Sequence, residues 1–426
     1  MHDKKMITAV VANEKGEIFD LEGYAAVGMA GDYLFPLTTA DTIELPYGSE
    51  LMRLPDRVPI LYDLVAGRFE MLDKNPFAPE QDLYPVAAFN SPGHVVTRVC
   101  AYRERRQADI LPLFSYGAVG WHGDGFCSAA IQVDAEPRQD LRFMKQADVL
   151  KGIEFMRGKL PENRLRNHLE RCALEYGCPA GKNFFLGRYE APLPTARTCN
   201  AACLGCLSLQ ADTDIPCSQE RIAFTPDPGE IAGVALAHIA RVDDSVVSFG
   251  QGCEGDPLLA AAVIEPAIRM IRSRTDQGTI NMNTNGGLPD VMIKLLAAGL
   301  DSIRISMNSM REDPYLAYFN PKGYVFADVV RSIDLALEKD RHVAINYLNM
   351  PGFTNTAAEL ESLVAFLEAH PINMIQWRNL NFDPIRYWQA MGQDGGEEPV
   401  VGMRTIIETI RNRFPNVRHG YFNPPK

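Results

Sequence analysis

In the second half of the chain, apolar residues follow two alternating patterns, one strand-like and one helix-like. Short apolar, β-rich runs end in loops rich in Gly and Asn, and stretches with helical spacing of apolar residues lie between the runs. Such alternation predicts an α/β fold in which parallel strands are joined by right-handed crossovers. Five strands are predicted at 245–250, 279–287, 301–309, 342–352 and 373–384, and a sixth leads into Cys199.

The rest of the chain is patterned differently. Its first part is a succession of short β-runs broken by turn residues, followed by a largely helical stretch. One amphipathic helix follows the last predicted strand. The predicted organisation is a β-rich N-terminal domain of unknown role, a helical connector, a core of strands and helices, and a short helical C-terminal extension, at 1–143, 144–189, 190–385 and 386–426.

Within the predicted strands, polar residues recur at every second position. Because side chains at i and i+2 share a face, Arg304 and Ser306 share one face of their strand, and Gln376 and Arg378 share one face of theirs. We expect these polar faces to point inward and to line a polar cavity, because buried amides and guanidinium groups are costly unless ligands satisfy them. A register shift of one residue would reverse the faces.

Composition and charge narrow the class of protein. The chain has 426 residues, 46% of them hydrophobic, so a sizeable core is expected. We find no apolar stretch long enough to span a bilayer and no signal peptide, and nine cysteines then indicate a reducing, cytoplasmic setting. The net charge of −12 argues against a nucleic-acid partner, because phosphate backbones attract clustered Lys and Arg.

Three cysteines occur close together in the run TARTCNAACLGCLSLQ. Cys199, Cys203 and Cys206 have C-x3-C-x2-C spacing, and three thiolates can ligate three irons of a [4Fe–4S] cluster. One iron then remains open to another ligand. A structural zinc site is the alternative, but such sites usually have a second ligand pair at matching spacing, and we find none after the triplet.

The triplet resembles that of the radical S-adenosylmethionine (SAM) superfamily. The resemblance implies a partial (β/α)6, TIM-like barrel with the cluster loop after the first strand. It also implies one [4Fe–4S] cluster and SAM as cofactors, with reductive cleavage of SAM to a 5′-deoxyadenosyl radical that abstracts hydrogen from a substrate. An electron donor such as flavodoxin or ferredoxin is then expected. The implied substrate is a small molecule or a peptide.

Later segments resemble the family's SAM-binding motifs. Gly255 and Asp256 match the motif that holds the methionyl ammonium, although Glu254 lies close enough to take the role of the acid. The remaining implied SAM contacts come from the third and fourth strands: Asn283, Asn285, Arg304, Ser306 and Asn308. One departure is Gly205, where the family usually has an aromatic residue against the adenine, so Leu204 or another strand is expected to support that ring.

Three polar residues on the fifth and sixth strands are candidates for substrate contacts: Asn346, Gln376 and Arg378. Arg378 carries a permanent charge that suits an anionic substrate, and the alternative role is a structural ion pair with Asp383 or another acid. The six cysteines outside the triplet do not assemble into four ligands with suitable spacing, so a second cluster is unlikely. A radical enzyme that modifies RNA and a non-catalytic iron–sulfur or zinc module remain as alternative functions.

Overall fold

The N-terminal part of the chain is built from short, mostly antiparallel strands. The computed structural model describes residues 5–210, 215–392 and 399–426. Most strands of this part belong to one large sheet, and β9–β10 and β12–β17 form two-stranded sheets. The strands are β1 (Thr8–Ala12), β2 (Ile18–Ala25), β3 (Val27–Ala30), β4 (Tyr33–Pro36), β5 (Ile43–Glu44), β6 (Glu50–Arg53), β7 (Arg57–Asp63), β8 (Arg68–Met71), β9 (Lys74–Asn75), β10 (Ala78–Asp82), β11 (Tyr84–Phe89), β12 (His94–Val96), β13 (Val99–Cys100), β14 (Tyr102–Glu104), β15 (Gly117–His122), β16 (Gly125–Ser128) and β17 (Ala130–Gln132).

The second part contains a curled parallel sheet whose strands follow one another in chain order. All six neighbouring pairs are parallel. The fold is therefore the partial parallel barrel, with a β-rich N-terminal region, that the sequence predicted. The strands are β18 (Glu190–Pro192), β19 (Val246–Phe249), β20 (Thr279–Thr284), β21 (Ser302–Met307), β22 (His342–Asn349), β23 (Met374–Asn379) and β24 (Arg418–Gly420).

Helices connect the two parts, alternate with the barrel strands and follow them. Apolar residues of the barrel helices, such as Ile264 and Ile268, are buried against the apolar face of the sheet. The helices are α1 (Gln146–Lys159), α2 (Arg164–Leu174), α3 (Pro179–Leu186), α4 (Pro228–Ile239), α5 (Ala261–Arg272), α6 (Pro289–Ala298), α7 (Glu312–Phe319), α8 (Phe326–Glu338), α9 (Ala357–Ala369), α10 (Pro384–Ala390) and α11 (Met403–Arg413). Among the described residues, no helix is both long and apolar enough to cross a membrane.

Helix α4 illustrates how local sequence sets these boundaries. Asp227 accepts a hydrogen bond from the backbone N–H of Glu230 at 2.9 Å, and Glu230 accepts one from the N–H of Asp227 at 2.9 Å. Pro228 occupies the first turn, where no backbone donor is needed. This capping box satisfies two amides that the first turn leaves unpaired, so the helix begins at Pro228.

The strand register brings the polar positions into rows. Asn283 pairs with Arg304, and Ser306 pairs with Asn346, which in turn pairs with Gln376. The intervening Ile303, Ile305, Ile375 and Trp377 are fully buried in the core formed with the outer helices. Polar side chains therefore occupy the inner face of the sheet.

The C-terminal segment adds more than the helix that was expected. After α11, the short strand β24 extends the sheet beside β23, which makes seven parallel strands where six were predicted. The tail then enters the barrel. The Asn423 amide donates to Glu190 at 2.8 Å and accepts from Gln376 at 3.0 Å, so the tail closes one end of the barrel.

The N-terminal region is joined to the barrel at the carboxyl ends of β22 and β23. Asn379 accepts a hydrogen bond from the Val96 amide at 2.8 Å and donates one to the His94 carbonyl at 2.9 Å. Asn349 donates to the Val96 carbonyl at 2.7 Å. These contacts place β12 beside the barrel opening, where a parallel barrel carries its functional residues.

Candidate functional site

A cavity of about 430 Å³ lies at the carboxyl ends of the barrel strands. It is lined by loops after the first strands, by polar residues of β20–β23, and by residues from the N-terminal region and the tail. The predicted site residues on its wall are Cys199, Cys203, Cys206, Glu254, Gly255, Asp256, Asn283, Asn285, Arg304, Ser306, Asn346 and Arg378. Residues from six strands, β18 to β23, or from the loops after them thus meet at one cavity.

The three cysteines are held by backbone contacts between their loop and the end of α7. The Ala202 amide donates to the Phe319 carbonyl at 3.0 Å, and the Leu204 amide donates to the Tyr318 carbonyl at 3.1 Å. Burial, with the nearby Asp256 charge, raises the pKa of Cys199 to about 11. The thiol is therefore neutral without a metal, and a bound metal would remove its proton. The soft donor set around one cavity fits an iron–sulfur cluster.

Glu254 connects the loops that follow the first two barrel strands. One carboxylate oxygen accepts from the amides of Thr195 at 2.7 Å and Ala196 at 2.8 Å. The other accepts from the amides of Gly250 at 2.7 Å and Gln251 at 2.8 Å. Burial raises the pKa of this carboxyl to about 7, and the four amides oppose the rise. Both of its oxygens are already occupied by backbone donors.

Asp256 has fewer backbone partners. Its oxygens accept from the Leu258 amide at 3.0 Å, the Asn285 amide at 2.7 Å and the Thr284 hydroxyl at 2.8 and 2.9 Å. Burial raises the pKa of Asp256, and the Asn285 amide opposes this rise. Only two amides reach this carboxylate, half the number that reach Glu254.

The predicted SAM contacts on the next two strands divide into two groups. Asn283 and Asn285 line the cavity, and their amides also donate to the Gly250 carbonyl at 3.0 Å and to the Asn200 side chain at 2.7 Å. Asn308 does not line the cavity. Its amide donates to the Pro314 carbonyl and the Tyr387 hydroxyl, both at 3.1 Å, so it supports the loop into α7.

Two arginines meet on the opposite wall. Arg304 donates to Gln376 at 2.9 Å, and the guanidinium of Arg378 lies 3.9 Å from the centre of the Tyr421 ring and donates to the Tyr421 carbonyl at 2.8 Å. Burial, together with the charge of Arg378, lowers the pKa of Arg304 to about 9. Two guanidinium groups therefore lie beside the cavity, and the charge of Glu190, which also lines it, opposes the fall in the pKa of Arg304.

The alternative role considered for Arg378, an ion pair with Asp383, is not formed. Asp383 instead accepts from Arg57 at 3.4 Å and from the Leu111 amide at 3.0 Å. Gln376 is fully buried behind the cavity wall, bonded to Arg304 and Asn423, so it supports Arg304 and does not line the cavity. Of the three substrate candidates, Asn346 and Arg378 reach the cavity.

Several polar atoms at the cavity lack a partner among the described residues. They are the Nε atoms of Arg304 and Arg378, the side-chain oxygen of Asn346, and both amide atoms of Asn90. Buried polar groups are normally hydrogen-bonded, so a cluster of five unpaired atoms indicates a polar ligand.

Asn90 and Phe89 come from the end of β11 in the N-terminal region, and both line the cavity. Sequence reasoning missed them because one Asn after a β-run is the usual signal of a turn. Tyr318 was missed as well. A Cβ atom placed on Gly205 would lie 2.9 Å from the Tyr318 hydroxyl, which shows that a tyrosine from α7 occupies the space beside this glycine.

The sequence model of the radical SAM superfamily matches residues 193–367. Two curated proteins show weaker similarity. "Molybdenum cofactor biosynthesis protein 1" of Drosophila melanogaster is 23% identical over 58% of this chain and 40% of its own length. "Probable GTP 3',8-cyclase" of Thermoplasma volcanium is 30% identical over 38% of this chain and 53% of its own. The chain therefore aligns with about half or less of either relative.

Two solved structures resemble the chain only distantly. A radical SAM methyltransferase from Sphaerobacter thermophilus has a TM-score of 0.36 at 14% identity, covering 48% of this chain and 64% of its own. Streptococcus suis SuiB bound to the precursor peptide SuiA has a TM-score of 0.36 at 13% identity, and the match covers 60% of this chain and 52% of the SuiB chain. Similarity at this level says nothing about substrate.

Proposed function

We propose that the chain is a radical SAM enzyme, because the model of that superfamily matches residues 193–367, and that it abstracts hydrogen from a small anionic molecule. The observation that carries the proposal is the cavity itself. Three thiols, two arginines and unpaired amides line one cavity with a volume of about 430 Å³. Cavities of 300 to about 1,000 Å³ are typical of small-molecule sites.

Cys199, Cys203 and Cys206 are the proposed ligands of a single [4Fe–4S] cluster. When bound with SAM, the cluster supplies the electron that releases a 5′-deoxyadenosyl radical from SAM. The protein's own task is to hold the reactants and exclude water. An electron donor of the flavodoxin or ferredoxin type is part of the proposal.

Asp256 is the proposed acid for the SAM ammonium. Glu254 is saturated by four backbone amides and is better suited to holding the two loops together. Gly255 fits beside it, because a Cβ atom there would lie 1.9 Å from the Thr198 carbonyl oxygen. Asn283, Asn285 and Ser306 are the proposed polar contacts to the rest of SAM, and Asn308 supports them indirectly.

Tyr318 is the proposed aromatic contact for the adenine. The family's usual aromatic residue is replaced by Gly205, and Tyr318 of α7 lines the cavity with its hydroxyl beside this glycine. An aromatic side chain on another element then restores the apolar surface that a stacked base needs.

Arg378, Asn346 and Asn90 are proposed to bind the substrate. Arg304 and Arg378 lie close together, so a carboxylate or phosphate would neutralise them and satisfy their unpaired Nε atoms. The N-terminal region thereby gains a role, because Asn90 and Phe89 form part of the cavity wall.

Anaerobic reconstitution with iron and sulfide tests the function. The protein should turn brown and, with SAM and dithionite, form 5′-deoxyadenosine. Arg378→Ala should retain the cluster and this uncoupled cleavage. Arg386→Ala, which removes an arginine outside the cavity, is the matched control. Absence of 5′-deoxyadenosine from a protein with a full cluster would contradict the proposal.

GTP is the first anionic molecule to test, because the Thermoplasma relative is named for it. Equilibrium dialysis should show that Arg378→Ala weakens binding about 10- to 150-fold, since a hydrogen bond to a charged group contributes about 1.5–3 kcal/mol. Arg386→Ala should bind as the unmodified protein does. If the unmodified protein fails to bind GTP, this nucleotide is excluded as the substrate.

A further inference from the structure

A second group of soft metal ligands lies apart from the cysteine triplet. His168 and Cys172 belong to α2, and Cys253 belongs to the loop after β19. One ligand atom from each side chain lies within 4.8 Å of the other two, and Cys172 Sγ is 3.5 Å from His168 Nε2. The proposed cluster site does not use these three residues.

The local structure explains why the three meet. His168 and Cys172 are four residues apart, so they lie one above the other on the same face of α2. Cys253 is brought to that face by its own loop, where its carbonyl accepts a hydrogen bond from the Ile222 amide at 2.7 Å. Cys172 and Cys253 are 2% and 5% exposed.

A third thiol adjoins this group without belonging to it. The Cys178 amide donates to the Cys172 carbonyl at 3.0 Å, and Cys178 is the N-cap residue of α3, but its Sγ is not among the ligand atoms that lie within 4.8 Å of one another. One imidazole and two thiols are ligands of the kind that zinc prefers. Thiolate and imidazole ligands also select against hard cations such as Mg²⁺ and Ca²⁺.

We propose that His168, Cys172 and Cys253 bind one Zn²⁺ ion. The site is a single-metal centre and not a second iron–sulfur cluster. It lies between α2 and the loop after β19, and the metal would hold these two elements together.

The position of Cys253 gives the site a consequence for the cavity. Gly252 and Glu254, its two neighbours in sequence, line the cavity, while the Cys253 thiol is directed to α2. A metal at this thiol would attach the SAM-binding loop to the helical connector. That consequence rests on the function proposed above, but binding of the metal does not.

The test is made in the full chain with Cys199, Cys203 and Cys206 replaced by Ala, so that no metal at the triplet contributes. After expression with added zinc, elemental analysis should find about one zinc per chain. When Cys172→Ala and Cys253→Ala are added, the bound zinc should be lost. When Cys127→Ala is added instead, the zinc content should stay unchanged, because Cys127 lies on β16, outside the proposed site. Because the triplet is absent, the result is independent of SAM chemistry.

A second measurement covers the case in which the double replacement fails to fold. In the triplet-free chain, Cys172 and Cys253 should resist maleimide until a strong chelator is added, and peptide mapping should then find both labelled. Cys217, which is exposed, should react throughout. The proposal is overturned if the triplet-free chain holds no zinc, if the double replacement retains it, or if mapping finds Cys172 and Cys253 joined as a disulfide.

Discussion

Arg57 forms a buried ion pair between the N-terminal region and the helix that follows β23 of the barrel, and its replacement by Leu tests how firmly the two are joined. The side chain is 1% exposed. It donates to Glu104 at 2.9 Å, to the Pro55 carbonyl at 3.1 Å and to Asp383, itself fully buried, at 3.4 Å. Arg57→Leu removes all three bonds and leaves one buried carboxylate without its cation.

The expected loss follows from what Asp383 retains. Breaking a buried ion pair typically costs about 3–5 kcal/mol, because one charge stays buried without compensation. Asp383 keeps the amides of Leu111 and Ile385, each at 3.0 Å, and Glu104 keeps Arg386 at 3.4 Å. We therefore expect the lower end of that range, about 3 kcal/mol, or roughly a 150-fold change in the unfolding equilibrium.

Urea unfolding followed by limited proteolysis measures this loss. Arg57→Leu should lower the urea concentration at the unfolding midpoint and make the N-terminal region the first part that protease cleaves. The control is Arg68→Leu, which replaces an exposed arginine at the start of β8 and should unfold as the unmodified protein does. A change within 0.5 kcal/mol of that control, the size of an ordinary surface substitution, would refute the buried link.

Three further predictions concern other contacts. Asp256→Ala should weaken SAM binding by about 1.5–3 kcal/mol, and by more than Glu254→Ala, because a charge-assisted contact to the ammonium is lost. Both variants are titrated with SAM, and equal or reversed losses of affinity would give the role to Glu254. Tyr318→Leu should weaken SAM binding while leaving the iron content unchanged, and unchanged affinity would exclude the adenine contact. Burial lowers the pKa of His238 to about 4 despite its contact with the Tyr189 carbonyl. The unfolded state then binds more protons than the folded state between pH 6.5 and 4, so the free energy of unfolding falls as the pH drops through this range. In acid titrations, His238→Gln should reduce the dependence of this free energy on pH by up to about 1.4 kcal/mol per pH unit. An unchanged dependence would exclude the histidine as its source.

The barrel strands could be predicted closely from the sequence. Residues 279–287 and 301–309 contain the observed strands β20 and β21, because each apolar run ends at a Gly, Asn or Ser that stops it. Alternation also assigned Arg304 and Arg378 to the inner face, since a half-buried strand allows one register when its other face is apolar.

What the sequence could not predict depends on contacts between distant segments. Strand β24 has only three residues and no apolar alternation, so pairing with β23 alone defines it. Asn423 reads as an ordinary tail residue until its bonds with Glu190 and Gln376 are seen. Asn90 reaches the cavity only because the N-terminal region is joined to the barrel, and no local pattern signals such joining.

The central claim is that three cysteines hold a [4Fe–4S] cluster with one iron open to SAM. Electron paramagnetic resonance of the dithionite-reduced, reconstituted protein, recorded with and without SAM, tests it most directly. We predict a cluster signal that changes when SAM is added, persists in Cys217→Ala, and is absent when Cys199, Cys203 and Cys206 are all Ala. A signal that does not respond to SAM, or one that survives in the triple replacement, would contradict the claim.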